Sequence, residues 1–198
     1  MGPELIYLQG QTPLDEDEKD GLLIKTISTR SELDEMEQLN IQHAVEWTLR
    51  RRFTKAQVLS ESFINGLHKR MFNQVWRWAG TFRKTDKNIG VDKHHIPVAL
   101  RQLIDDCKFW IDGQLFSPDE IAIRFKHRIV TIHCYPNGNG RHARLMADVI
   151  ISHLLGGKVF SWGGANLVNE GEARTQYLRA MREGDAGNFQ PLIHFARS

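Results

Sequence analysis

Only two cysteines, Cys107 and Cys134, occur in the 198 residues. They give no disulfide framework and no metal-pair spacing, so two reduced thiols in a cytoplasmic protein are expected. No run of about 18 apolar residues is present, so no spanning helix is expected. The opening MGPELIYLQGQTPLDEDEKDG lacks a basic segment followed by an apolar core, and a secretory signal is not expected. Charge of one sign is also missing. With 26 Lys and Arg against 24 Asp and Glu, the net charge of +2 draws the molecule to neither nucleic acid nor membrane. There is no internal repeat and no low-complexity tract, and little that reads as strand.

What remains is the profile of a soluble globular protein of one ordinary domain, 41% hydrophobic and 25% charged. Residues 1–28, acidic in the middle and broken by Gly10, Pro13 and Gly21, are expected to form an extended arm over a single domain at 29–198. Thr29-Arg-Ser-Glu32 is a capping-box start, followed at helical spacing by Leu33, Met36, Leu39, Ile41, Ala44 and Trp47. Thr54-Lys-Ala-Gln57 starts a second helix with Val58, Leu59, Phe63, Leu67 and Met71 inward. Residues 76–97 break the helical period, and Asp86–Gly90 reads as the tip of a β-hairpin. Val98–Asp112 returns to helix. Ser117-Pro-Asp-Glu120 opens another, which Pro136 forces to stop near His133. Arg141–Leu155 and pieces near 167–182 and 188–196 complete a mostly α chain with one small hairpin.

The stretch HCYPNGNGRHAR, residues 133–144, lies between two of these helices. A helix that starts after Gly-Asn-Gly turns unpaired amides and the positive end of its dipole into the preceding loop. Gly138 and Gly140 let a ligand approach the backbone, and Arg141 and Arg144 add permanent charge. Together these features make a phosphate cradle, in which each charge-assisted hydrogen bond contributes about 1.5–3 kcal/mol. His133, at the mouth, is placed to take a proton from an incoming hydroxyl. An unperturbed imidazole titrates near 6.5, so a rate that rises through that pH is expected.

The stretch resembles the signature of the Fic/Doc family, His-x-Phe-x-(Asp or Glu)-Gly-Asn-Gly-Arg-x-x-Arg. His133, Gly138, Asn139, Gly140, Arg141 and Arg144 match it, while Tyr135 stands for the phenylalanine and Asn137 for the acid. LHKRMFNQVWRWAGTFR at 67–83 and YLRAMREGDAGNFQPLIHF at 177–195 also look like family segments. The N-terminal QGQTPLDEDEKDGLL and the loop form PNGNGRHAR are similar to the bacterial subgroup called mobile mystery protein B.

The resemblance implies a Fic fold that moves AMP from ATP to a Ser, Thr or Tyr hydroxyl of a target protein. It gives His133 the role of general base. The amides of Gly138, Asn139 and Gly140, with the Asn139 side chain, would hold the phosphates. Arg141 and Arg144 would neutralise the triphosphate, Arg144 at the γ-phosphate. Tyr135 would be a buried anchor of the loop. The flap, with Lys87, Asn88, Ile89 and Gly90, would register an extended target by strand addition. Mg²⁺ is implied beside ATP; Asn137 would offer it an amide oxygen without the acid's charge. Ser31 and Glu35 fit half of the family's inhibitory helix, whose glutamate pairs with the second arginine. The subgroup resemblance implies a small DNA-binding partner. Two other readings stay open: a nucleotide-binding regulatory module whose chemistry lapsed with the acid at 137, and transfer of a different phosphate-containing group. Direct nucleic-acid binding through the Arg50–Phe53 cluster ranks last, since a solvated helix end explains it equally well.

Overall fold

The computed structural model describes residues 13–164 and 171–198. The first part of the expected arm and the start of the expected helix near 167–182 lie outside the described residues. The described part of the arm is not extended throughout. It holds a one-turn helix, α1 (Glu16–Lys19), whose Glu18 carboxylate accepts from the Asp15 amide at 2.8 Å. The chain then runs beside residues 75–77, where Leu22 and Trp76 form an isolated bridge.

The longest helix, α2 (Arg30–Leu49), begins at Thr29, whose hydroxyl accepts from the Glu32 amide while Glu32 reaches back to the Thr29 amide. Its inward face is Leu33, Glu37, Asn40, Ala44 and Thr48. Met36 and Leu39, expected inward, are exposed instead. The expected second helix is two: α3 (Lys55–Val58) and α4 (Glu61–Phe72). Leu59 leaves helical geometry and Ser60 caps the new start by accepting from the Phe63 amide at 3.1 Å. A local cap therefore outcompetes the continuous apolar stripe.

Then come α5 (Ile96–Asp112) and α6 (Pro118–Ile132), the latter capped by Ser117 as expected. The central helix α7 (Asn139–Val149) continues into a π-helical turn, Ile150–Leu154. The fold closes with α8 (Glu172–Asp185) and α9 (Gln190–Arg197). Helix α7 packs on α6 and α4, α4 on α2, and α6 on α5 and α9. Leu67, Phe72, Phe125, Met146 and Ile150 fill the space between them.

The expected β-hairpin is not present: among the described residues, 84–91 hold no strand. The loop's ends are joined instead to the segment after α6. The Arg83 amide donates to the Cys134 carbonyl at 2.9 Å and the Val91 amide to the Ile132 carbonyl at 3.3 Å. With its end amides used that way, the loop makes no cross-strand ladder of its own.

Candidate active site

Helix α6 ends at His133, which takes left-handed backbone angles (φ 57°, ψ 62°). Such angles are uncommon for a residue with a Cβ and persist only where the surroundings enforce them. Six residues later α7 begins, with Gly138 as its N-cap at φ 78°. A Cβ on Gly138 would lie 2.5 Å from the Phe72 ring, so both conformation and space require glycine there. At Gly140 a Cβ would meet nothing, which leaves the first turn of α7 open. The first-turn amides of Asn139, Gly140 and Arg141 have no acceptor within a helix that starts at 139. The positive dipole end of α7 is aimed into the loop. Of the amides expected to hold phosphate, those of Asn139 and Gly140 lie in this open turn, while that of Gly138 donates to Asn137 Oδ1 at 2.6 Å.

The loop between the helices is held from several sides. Tyr135 is fully buried, its hydroxyl donating to Asn65 Oδ1 at 2.8 Å. Its ring stacks on His68 at 3.7 Å between centroids. The Gly80 amide donates to His68 Nδ1 at 3.0 Å, so the proton sits on Nε2, which donates to the Asn137 carbonyl at 3.1 Å. Burial holds the pKa of His68 well below its ordinary value, in keeping with this neutral tautomer. His68 is thus a strut from Gly80 to the loop. Sequence reasoning missed that role, because only its presence within the 67–83 segment marked it. The Asn139 side chain donates to the Tyr135 carbonyl at 2.8 Å and accepts from the Tyr135 amide at 3.0 Å. It clasps the loop, a role beside the expected phosphate contact.

The two arginines diverge. Arg141 pairs with the carboxylate of Glu37, which is 3% exposed, and stacks over Phe72 at 4.9 Å. The other Glu37 oxygen accepts from Trp76 Nε1. Arg144 instead turns to α8, 6.0 Å from the centroid of Tyr177. Burial pushes the pKa of the Tyr177 hydroxyl up, but Lys126 and Arg144, both near it and hydrogen-bonded to it, outweigh that and hold it below the ordinary phenol value. The expected inhibitory pair is therefore corrected: Ser31 and Glu35 lie on the exposed side of α2, and Glu37, one helical face away, meets Arg141 rather than Arg144.

His133 itself is 5% exposed. Burial lowers its pKa to about 4, with the nearby Arg83 and Lys87 charges acting the same way and a backbone hydrogen bond at Val130 opposing them. The imidazole is therefore neutral at physiological pH. Asn137 turns its amide oxygen into the loop, where it accepts from the Gly138 amide at 2.6 Å and from Arg141 at 3.3 Å. An oxygen that already faces an amide and a guanidinium does not fit a protein-held Mg²⁺, and no group of three His, Cys, Asp or Glu suited to a metal occurs among the described residues.

In the flap, Asn88, Ile89 and Gly90 are exposed. Lys87 is not: its ammonium bonds Asp15 at 2.8 Å and Glu18 at 2.5 Å, and its side chain is 3% exposed. Thr85 also donates to Asp15 at 2.6 Å. The acidic arm thus lies on the flap. Between them a cleft of about 460 Å³ is lined by Asp15, Glu18, Trp78, Phe82, Thr85 and Pro136, and so reaches the loop that carries the cradle.

The site thus sets a buried neutral histidine, at the end of α6, beside the glycine-built start of α7. Residues 58–151, from the end of α3 into the π-helical turn, match the Fic/DOC family model. The protein adenylyltransferase Fic of Nematostella vectensis is 22% identical over 170 residues, covering 84% of this chain and 38% of that protein. That of Aedes aegypti is 23% identical over 133 residues, covering 65% and 25%. The chain thus spans well under half the length of these curated relatives.

Among solved structures, Fic-1 (residues 134–508) of C. elegans superposes with a TM-score of 0.65 at 20% identity, over 90% of this chain and 50% of that one. The BepC protein of Bartonella tribocorum, with bound AMPPNP, gives 0.67 at 18% identity over 92% and 97%. A Bartonella quintana Fic domain with bound ADP gives 0.68 at 14% identity over 91% and 94%. The fold is the Fic fold. No helix among the described residues is long and apolar enough to cross a membrane.

Proposed function

We propose that the protein transfers AMP from ATP to a Ser, Thr or Tyr hydroxyl of a target protein. The observation that carries this reading is His133, neutral and held at the C-terminus of α6, next to a glycine-built helix start. A mere anion site has no use for a buried proton acceptor at its mouth. Relatives named protein adenylyltransferase, and Fic-fold structures with AMPPNP and ADP bound, agree with a nucleotide donor.

In this reading the triphosphate lies on the first-turn amides of α7, with Arg141 and Arg144 on its flanks. The imidazole of His133 takes the proton of the acceptor hydroxyl as its oxygen attacks the α-phosphorus. The bond from the α-phosphorus to the bridging oxygen breaks, and pyrophosphate leaves with that oxygen. Amides fixed by the fold before the reaction stabilise the charge that develops on the phosphate oxygens. ATP brings any metal on its own phosphates. The exposed flap residues Asn88–Gly90 receive an extended target segment.

ATP labelled at the α- or the γ-phosphate, incubated with the protein and cell lysate, tests the reading. Label retained in protein from the α position alone is expected. Label from the γ position alone would mean phosphoryl transfer, and label from neither would leave a nucleotide-binding module.

A further inference from the structure

Arg83 lies outside the signature and is 3% exposed. Its amide bonds the Cys134 carbonyl at 2.9 Å. Its Nε donates to the carbonyl of His133 at 2.7 Å. Nη1 donates to the Thr85 carbonyl at 2.8 Å and faces Asp86 Oδ1 at 3.5 Å, and Nη2 donates to the Val91 carbonyl. One planar fork therefore joins both ends of the flap to the peptide of His133. From the other side comes Gly90, at φ 111°, where a Cβ would lie 2.8 Å from Arg83 Nη2 and 2.8 Å from His133 Cβ. The flap's far end thus rests on the histidine's own Cβ.

We propose that Arg83, closed in by Gly90, is a positioning residue that couples the target-docking flap to the general base. A donor on the His133 carbonyl fixes the left-handed backbone of that residue, and with it the direction of the imidazole. The same guanidinium fixes where the flap leaves and re-enters the domain. A target strand that orders the flap therefore also orders the base. A lysine keeps the charge, but it has no planar fork with which to bond three carbonyls. The proposal rests on His133 acting as the base.

Three variants test it: Arg83→Lys, Arg83→Gln and Gly90→Ala. Each is checked by melting temperature, by calorimetric ATP affinity, by kcat for transfer from α-labelled ATP into lysate protein, and by the imidazole resonances of His133. Displacement of a catalytic group by an ångström costs about 100-fold in rate. We therefore expect folded Arg83→Lys and Gly90→Ala to lose about 10–100-fold in kcat, with ATP affinity kept within about 3-fold. The His133 resonances should move in both.

In Arg83→Gln the histidine should also titrate higher, because a facing cation is gone while Lys87 remains. Folded Arg83→Lys and Gly90→Ala with wild-type kcat and unmoved His133 resonances would overturn the proposal. The resonances need no turnover. A wild type that transfers no label would sink the adenylyl-transfer reading, while the spectra still decide whether Arg83 positions His133.

Discussion

Glu37 and Arg141 meet across 104 positions of sequence, and the carboxylate that holds the cradle's first arginine also accepts from Trp76. An incoming phosphate must compete with this carboxylate for the guanidinium. Glu37→Gln keeps an acceptor for Trp76 but removes the competing charge. ATP should bind about 3–10-fold tighter, which is about 0.7–1.4 kcal/mol. The unliganded melting point should fall by a few degrees, since a partly buried cation loses its charged partner. Calorimetry and a melting curve on one sample check both; a folded variant with unchanged or weaker ATP affinity would contradict the competition.

His133 should act as a base well below neutral pH. Its pKa in the free protein is lowered to about 4, so the reactive neutral form is complete across the physiological range. The rate constant kcat/KM for ATP, which reports the free protein, should be flat from about pH 5.5 to 8 and fall only at lower pH. This corrects the rise near 6.5 expected of an unperturbed imidazole. A bound triphosphate favours the protonated ring, so the acid limb of kcat should lie at higher pH than that of kcat/KM. An imidazole titration in the free protein centred near 6.5 would contradict this.

Acid should destabilise the fold early. His68, His133 and His142 are buried with pKa values below their ordinary value of 6.5. The unfolded chain therefore takes up their protons first, and their stabilisation, complete above about 6.5, is lost as pH falls toward 4. Asp148, which burial raises to about 6, opposes them with one proton. His127 and His153 are shifted the same way, so stability should fall between about pH 6 and 4.5, at about 1.4 kcal/mol per pH unit for each uncompensated proton. Urea unfolding at pH 7 and pH 5 measures it; equal stability at the two would refute the account.

Asn139→Ala should act through the loop. It removes the donor and the acceptor that clasp Tyr135 and leaves two buried backbone groups without partners. A loss of about 2–6 kcal/mol is expected, at about 1–3 for each of the two abandoned groups. If the side chain served mainly to hold phosphate, ATP affinity would fall while the melting temperature stayed in place.

Much of the frame is local and so legible in sequence. Thr29 and Ser117 cap helices as their spacing demands, and Pro136 and the glycines mark where α6 ends and α7 begins. The inward face of α2 was not legible, because an apolar stripe favours Met36 and Leu39 over Glu37 and Asn40. Those polar residues are buried for reasons that lie far along the chain: Glu37 meets Arg141 and Trp76, while Asn40 bonds the Arg70 carbonyl and the Gln74 amide. His68 was hidden in the same way, its partners Gly80 and Asn137 lying in separate segments. The flap read as a hairpin because its turn residues fit one, and nothing local shows that Arg83 closes it through a side chain.

The central claim is that His133 moves a proton during adenylyl transfer and does not hold the nucleotide. It is tested by His133→Ala, with ATP affinity and incorporation of α-labelled ATP measured on the same preparation beside the wild type. The account predicts incorporation reduced by about 10²–10⁴-fold, the usual contribution of a positioned base, with ATP affinity within about 3-fold of wild type. Incorporation that survives the substitution, or that falls only in proportion to lost ATP binding, would contradict it.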